Sequence, residues 1–224
     1  MKNLQDIIQE KLQIGSKTKV SSHKYYPQNR NELKELIEEL IKKRGNNANL
    51  NDIDTSKIDD MSYLFRGSDF NGDISNWDLS NVTDIECMFE NSKFNGNISN
   101  WNVSNVTNMF GVFSNSEFNQ DISKWNVSKV ENMGYIFFYS TFNQDISKWD
   151  VSNVENMSCA FEDSKFNQDI SKWNVSNVIN MQYMFSKSPF NQDISKWNVS
   201  KVENMKCIFY KCPLEKNPPK WYKN

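Results

Sequence analysis

The chain is predicted to fold as an α/β repeat: a solenoid with one short parallel strand and one short helix in each 24-residue coil, preceded by an N-terminal helical cap. Three observations predict it. Phe70, Phe94, Phe118, Phe142, Phe166 and Phe190 recur at a step of 24 residues. Trp77, Trp101, Trp125, Trp149, Trp173, Trp197 and Trp221 keep the same step. Ahead of both rows lies a stretch, residues 1–46, that carries no repeat. A fixed period in the twenties marks units that bury their apolar faces only against their neighbours.

Taken in order, residues 1–46 come first. Leu4, Ile7, Ile8 and Leu12 suggest a short helix. A second, amphipathic helix carries Leu33, Leu36, Ile37, Leu40 and Ile41, opens near Asn29–Asn31 and closes at Lys42, Lys43, Arg44 and Gly45. Directly before the first coil, it is expected to cover the open end of the core. A partner-binding helix is the alternative. His23 is the only histidine and sits in the polar linker SKTKVSSHKYYPQ, where a solvated loop residue is expected.

Residues 47–213 hold about seven coils and 214–224 a truncated last one. The unit reads F-N-Q-D-I-S-K-W-[ND]-V-S-[NK]-V-x-N-M-x-x-[MIV]-F-x-x-S-x, numbered here as slots 1 to 24 from the Phe. Slots 8 and 10 (Trp149, Val151) alternate with polar Lys148, Asp150 and Ser152, the two-residue beat of a half-buried strand. Slots 13, 16 and 20 (Val154, Met157, Phe161) keep the three-and-four spacing of a helix face. Ser152 with Glu155, Ser128 with Glu131 and Ser200 with Glu203 match the S-x-x-E pattern of a helix start. The degenerate first unit uses Leu50, Ile53, Ile58, Met61 and Phe65, and Leu214 replaces the last slot-1 Phe.

Stacking turns each slot into a row. The candidate interaction face is the polar side of the predicted strands: Lys124, Lys148, Lys172 and Lys196 of slot 7, beside Asn126, Asp150, Asn174 and Asn198 of slot 9. Slot 4 adds Asp121, Asp145, Asp169 and Asp193, whose plainer role is to offset lysines about 4.8 Å apart. Slot 2, Asn from Asn71 to Asn191, reads as an internal hydrogen-bond ladder. On the helical side Phe138 and Tyr139 interrupt polar neighbours and form a candidate aromatic patch, with partly buried packing variants as the alternative.

With I-x-x-W-x-V-S-x-V-x-x-M-x-x-M-F-x-x-S, the unit resembles the BspA-type leucine-rich repeat. It is most similar to the bacterial variant F-N-x-D-I-S-x-W-D-V-S-x-V-T-x-M-x-x-M-F, a "surface protein" repeat of unknown function. The resemblance implies a leucine-rich-repeat-like solenoid with a ligand-facing strand side, and it implies no activity. Members are often described as cell-surface adhesion or interaction proteins.

Composition narrows the function classes. A net charge of −2 and a pI near 5.6 give no pull toward nucleic acid, and no run reaches the ~18 apolar residues of a membrane span. The start, MKNLQDIIQEKLQIGSKTK, lacks the pattern of a secretory signal and no lipobox Cys follows Met1. A cytoplasmic site is therefore the default, and the resemblance adds a cell-surface or secreted site reached by an unconventional route. Cys87, Cys159 and Cys207 share slot 18 at separations of about 10–14 Å, beyond the ~7 Å limit for a disulfide. No metal spacing, cofactor motif or nucleophile–base pair is present, so neither catalysis, cofactor nor metal is expected. The expectation is a monomeric, non-catalytic module for a protein partner. A surface adhesin for glycan or host matrix and a ligand-free spacer are the alternatives.

Overall fold

The computed structural model describes residues 23–222. The helix expected around Leu4–Leu12 lies outside the described residues. Helix α1 spans Arg30–Arg44, where the apolar spacing places it. The Asn29 side chain accepts from the Glu32 N–H at 3.1 Å, and the Glu32 carboxylate accepts from the Gln28 N–H at 2.8 Å. The first bond satisfies a free donor of the first turn, and the second ties the residue before the N-cap back to that turn. Gly45, at φ 87°, ends the helix by donating to Ile41 O at 2.7 Å. Leu33, Ile37 and Leu40 are buried in the same cluster as the repeat units.

From residue 49 on, each unit pairs in parallel with the one 24 residues later. Slot-15 residues bridge in an unbroken series, Asp60 to Asp84, Asn108, Asn132, Asn156, Asn180 and Asn204. After each bridge, alternate N–H groups donate to carbonyls of the following unit. Met157 donates to Asn180 O, Cys159 to Gln182 O, Phe161 to Met184 O and Asp163 to Ser186 O, at 2.8–2.9 Å.

The helix expected in slots 11–20 is absent; among the described residues α1 is the one α-helix, followed only by a 3₁₀ turn over Pro213–Glu215. Slots 16–23 are instead consecutive turns, such as Ala160 N–H to Met157 O and Ser164 N–H to Phe161 O. Slots 18 and 22 are left-handed throughout, as in Cys159 (φ 54°) and Asp163 (φ 53°). Each left-handed residue redirects the main chain, so its N–H meets the next unit instead of the preceding helical turn. The three-and-four spacing is real, but it reports which side chains point inward.

The strand expected in slots 7–11 is a turn as well, closed by Trp149 N–H to Ile146 O at 3.1 Å. Its alternation comes from side chains that bond their own backbone. Asp150 Oδ1 accepts from Ser152 N–H, and Asp145 Oδ1 accepts from Ser147 N–H. Such Asx turns explain the D-x-S and N-x-S spelling. Ser152 is thus the acceptor's partner in a turn, and Glu155 N–H goes to Glu131 O of the preceding unit. No helix start exists there.

Inside the stack, two phenylalanine rows interlock. Slot-1 rings repeat at 6.2–6.4 Å and slot-20 rings at 5.5–6.2 Å. Phe137 and Phe142 of the two rows meet at 4.0 Å. Trp149 is 3% exposed and its indole N–H donates to Ile122 O at 3.1 Å, one unit back. The same bond recurs from Trp77 to Trp221, so every buried indole has its acceptor.

Candidate interaction surfaces

Each predicted face residue can now be placed. Lys124, Lys148, Lys172 and Lys196 are exposed, on turns and not on strands, and none forms an ion pair among the described residues. Asn126, Asp150, Asn174 and Asn198 are exposed too, but their Oδ1 atoms accept from Ser128, Ser152, Ser176 and Ser200. That half of the predicted face is committed to holding its own turns.

The slot-4 aspartates are committed in the same way. Hydrogen bonds from the serine two residues on hold the carboxyls of Asp121, Asp145, Asp169 and Asp193 below the usual carboxylate range, and the nearby lysines add less. Slot-2 asparagines bond main chain to side chain: Asn143 Oδ1 accepts from Asn167 N–H at 2.9 Å and from Gln168 Nε2 at 3.1 Å.

The opposite side, along the bridged ladder, carries the sequence variation. Slot 17 holds Ser62, Glu86, Phe110, Gly134, Ser158, Gln182 and Lys206, and slot 21 holds Arg66, Glu90, Ser114, Phe138, Glu162, Ser186 and Tyr210; the serines and Gly134 are buried, and the larger side chains reach the surface. At its centre the expected pair Phe138 and Tyr139 proves to be part of a larger group. Phe110 meets Tyr135 at 5.2 Å, Tyr135 meets Phe138 at 5.5 Å, and Phe138 meets Tyr139 at 6.4 Å. Tyr139 is 57% exposed, whereas the other three rings are half-buried.

A glycine makes room for that group. A Cβ on Gly134 would sit 3.1 Å from the Phe110 ring and 2.8 Å from Asn156 Nδ2, so the ring rests over bare backbone. Beneath it, the Tyr135 hydroxyl is pushed up to about 12 by its hydrogen bond with Cys159 and by burial. Burial also pushes the Cys87 and Cys159 thiols up to about 12, so neither is a ready thiolate at neutral pH. All four cysteines are free. Sequence reading missed the participation of Phe110 and Tyr135; Gly134 at slot 17, beside Phe110 one unit earlier, was the available signal.

Elsewhere, His23 Nδ1 lies 3.8 Å from Asp54 Oδ2. Among the described residues no three His, Cys, Asp or Glu side chains converge as metal ligands, and no helix is long and apolar enough to cross a membrane.

The pattern of the family described as "Mycoplasma protein of unknown function, DUF285" matches residues 33–141 and again 138–222. Together the two matches cover most of the chain, which belongs to that repeat family. Comparisons with curated proteins and with solved structures find no match.

Proposed function

We propose that this member of the DUF285 family is a non-catalytic protein-recognition module. In this reading it is a leucine-rich-repeat-like solenoid of the BspA type, closed at one end by α1, that meets its partner with the ladder face. One observation carries the reading: unlike side chains are gathered on one face of otherwise uniform units, and four aromatic rings join there. Aromatic side chains supply large contact area at a small entropic cost, and interfaces are enriched in them. The lysine row, which forms no ion pair among the described residues, supplies a secondary, solvated surface.

The test compares three forms of the full chain as bait: wild type, Phe138→Ser/Tyr139→Ser, and Lys124→Ser/Lys148→Ser/Lys172→Ser/Lys196→Ser. A partner retained by the wild type and the lysine variant but lost by the aromatic variant is the expected result. Equal capture by all three sinks the reading. A second reading, a surface adhesin, draws on the same exposed Tyr139 ring, since sugars stack on aromatic faces. A glycan array in which the wild type binds and the aromatic variant does not would favour it.

A further inference from the structure

Between α1 and the first units lies a cavity of about 530 Å³, away from the aromatic group. Its floor is apolar: Ile37 and Ile41 from α1, and Leu64 from the first unit. Its rim is cationic, with Arg30 and Lys34 on α1 and Arg66 opposite, against a single lining carboxylate, Glu38. Tyr63 stands between the two guanidinium groups, 5.9 Å from Arg30 Cζ and 5.6 Å from Arg66 Cζ. Its hydroxyl bonds Glu86, which fixes the ring.

The cations are only partly engaged. Arg30 donates from Nε to Ser62 O at 2.6 Å, with Asp60 Oδ1 at 3.9 Å, and both of its terminal amino groups lack a partner among the described residues. Arg66 pairs with Glu90 at 2.7 Å through Nε. Lys34 is half-buried and has no partner among the described residues. Three cationic side chains lining one cavity gain from an anion, and an apolar floor gains from a hydrocarbon. The volume falls in the range of small-molecule sites.

We propose that this cavity binds a small amphiphilic anion, a phosphate monoester or carboxylate with a short apolar body. The head group sits between Lys34 and the free amino groups of Arg30, and the body covers Ile41 and Leu64. The site adjoins the N-terminal end of the ladder face through Arg66, but none of the four rings of the aromatic group lines it, so Phe138→Ser/Tyr139→Ser separates the two readings.

Calorimetric titration of the full chain with hexyl phosphate, inorganic phosphate and hexanol tests it. Hexyl phosphate is expected to bind saturably at one site, with inorganic phosphate and hexanol each at least about tenfold weaker. Lys34→Glu should lose at least about tenfold in affinity for hexyl phosphate at an unchanged melting temperature, because Lys34 has no partner among the described residues. Lys34→Gln should lose less in the same direction, and Phe138→Ser/Tyr139→Ser should bind as the wild type does. Co-sedimentation with phosphatidylglycerol vesicles, abolished by Lys34→Glu, would identify a lipid as the source of the head group; failure to sediment while hexyl phosphate binds would identify a soluble one. No saturable binding of hexyl phosphate, or full affinity in Lys34→Glu, overturns the proposal.

Discussion

Beyond the first unit, slots 1–12 and slots 14–22 are joined to their neighbours mainly by different kinds of hydrogen bond. The first half uses side chains: Asn143 accepts from Asn167 N–H, Trp149 donates to Ile122 O, and Asn153 Nδ2 donates to Ser128 O. The second half uses main chain to main chain, as from Cys159 to Gln182 and from Phe161 to Met184. A bond made by a side chain requires that side chain, whereas a peptide-to-peptide bond leaves the outward residue unconstrained. The first half is accordingly near-uniform in sequence, and the second is where Phe110, Glu86, Gly134 and Lys206 share one slot. Freedom to vary, and with it the candidate interface, follows from which atoms hold the stack.

Breaking the uniform half should cost most. Trp149→Ala empties an enclosed indole site and removes one of the two donors to Ile122 O, the Trp125 N–H remaining, a loss of roughly 3–5 kcal/mol by urea denaturation. Asn143→Ala removes the acceptor of the exposed Asn167 N–H bond and should cost about 0.5–1.5 kcal/mol by the same measurement. On the ladder half the sign reverses. Tyr139 is left-handed at φ 51°, so Tyr139→Gly should hold or raise stability, by up to about 1 kcal/mol. A loss above 1 kcal/mol there would show that its ring, and not its backbone, matters to the stack.

Acid should act on the uniform half through its slot-4 carboxylates. The carboxyls of Asp121, Asp145, Asp169 and Asp193 are depressed in the folded chain, so their contribution is complete above the ordinary value of 3.8 and is lost as pH falls through the lower folded values. Replacing all four by Asn, as Asn97 already stands in slot 4, keeps each Oδ1 acceptor and should flatten the acid limb of a melting-temperature profile while leaving neutral pH unchanged. An unaltered acid limb would exclude these groups as its cause. Smallest of all, Lys148→Ala should stay within about 0.5 kcal/mol.

How much of this was legible in the sequence follows the same division. The 24-residue step and the inward Phe and Trp rows could be read directly, because burial is written in hydrophobic spacing. Backbone conformation could not. Alternation at Trp149–Ser152 looks the same whether a strand or an Asx turn produces it, and the spacing of Val154, Met157 and Phe161 does not distinguish a helix from consecutive turns. The residues that break the helix are Tyr135, Cys159 and Tyr183, none of which favours left-handed geometry. The readable hint lay in Gly67, Asn91, Asn115 and Asp163 of slot 22, types that tolerate positive φ. Of the candidate sites, Phe138 and Tyr139 were named from their variability and polar neighbours; Tyr135 joins them through a contact within the same unit and Phe110 through a contact between units.

The indole bond of each unit always reaches the carbonyl 27 residues earlier, never farther. Excising one block of 24 residues therefore rejoins the chain with its Phe, Trp and Asn rows in register, while the unlike residues of slots 17 and 21 meet new neighbours. Unequal crossing-over in the gene would lengthen or shorten the array and redraw its variable face in the same event, so reach is an inherited trait that can change in whole steps while the scaffold stands still.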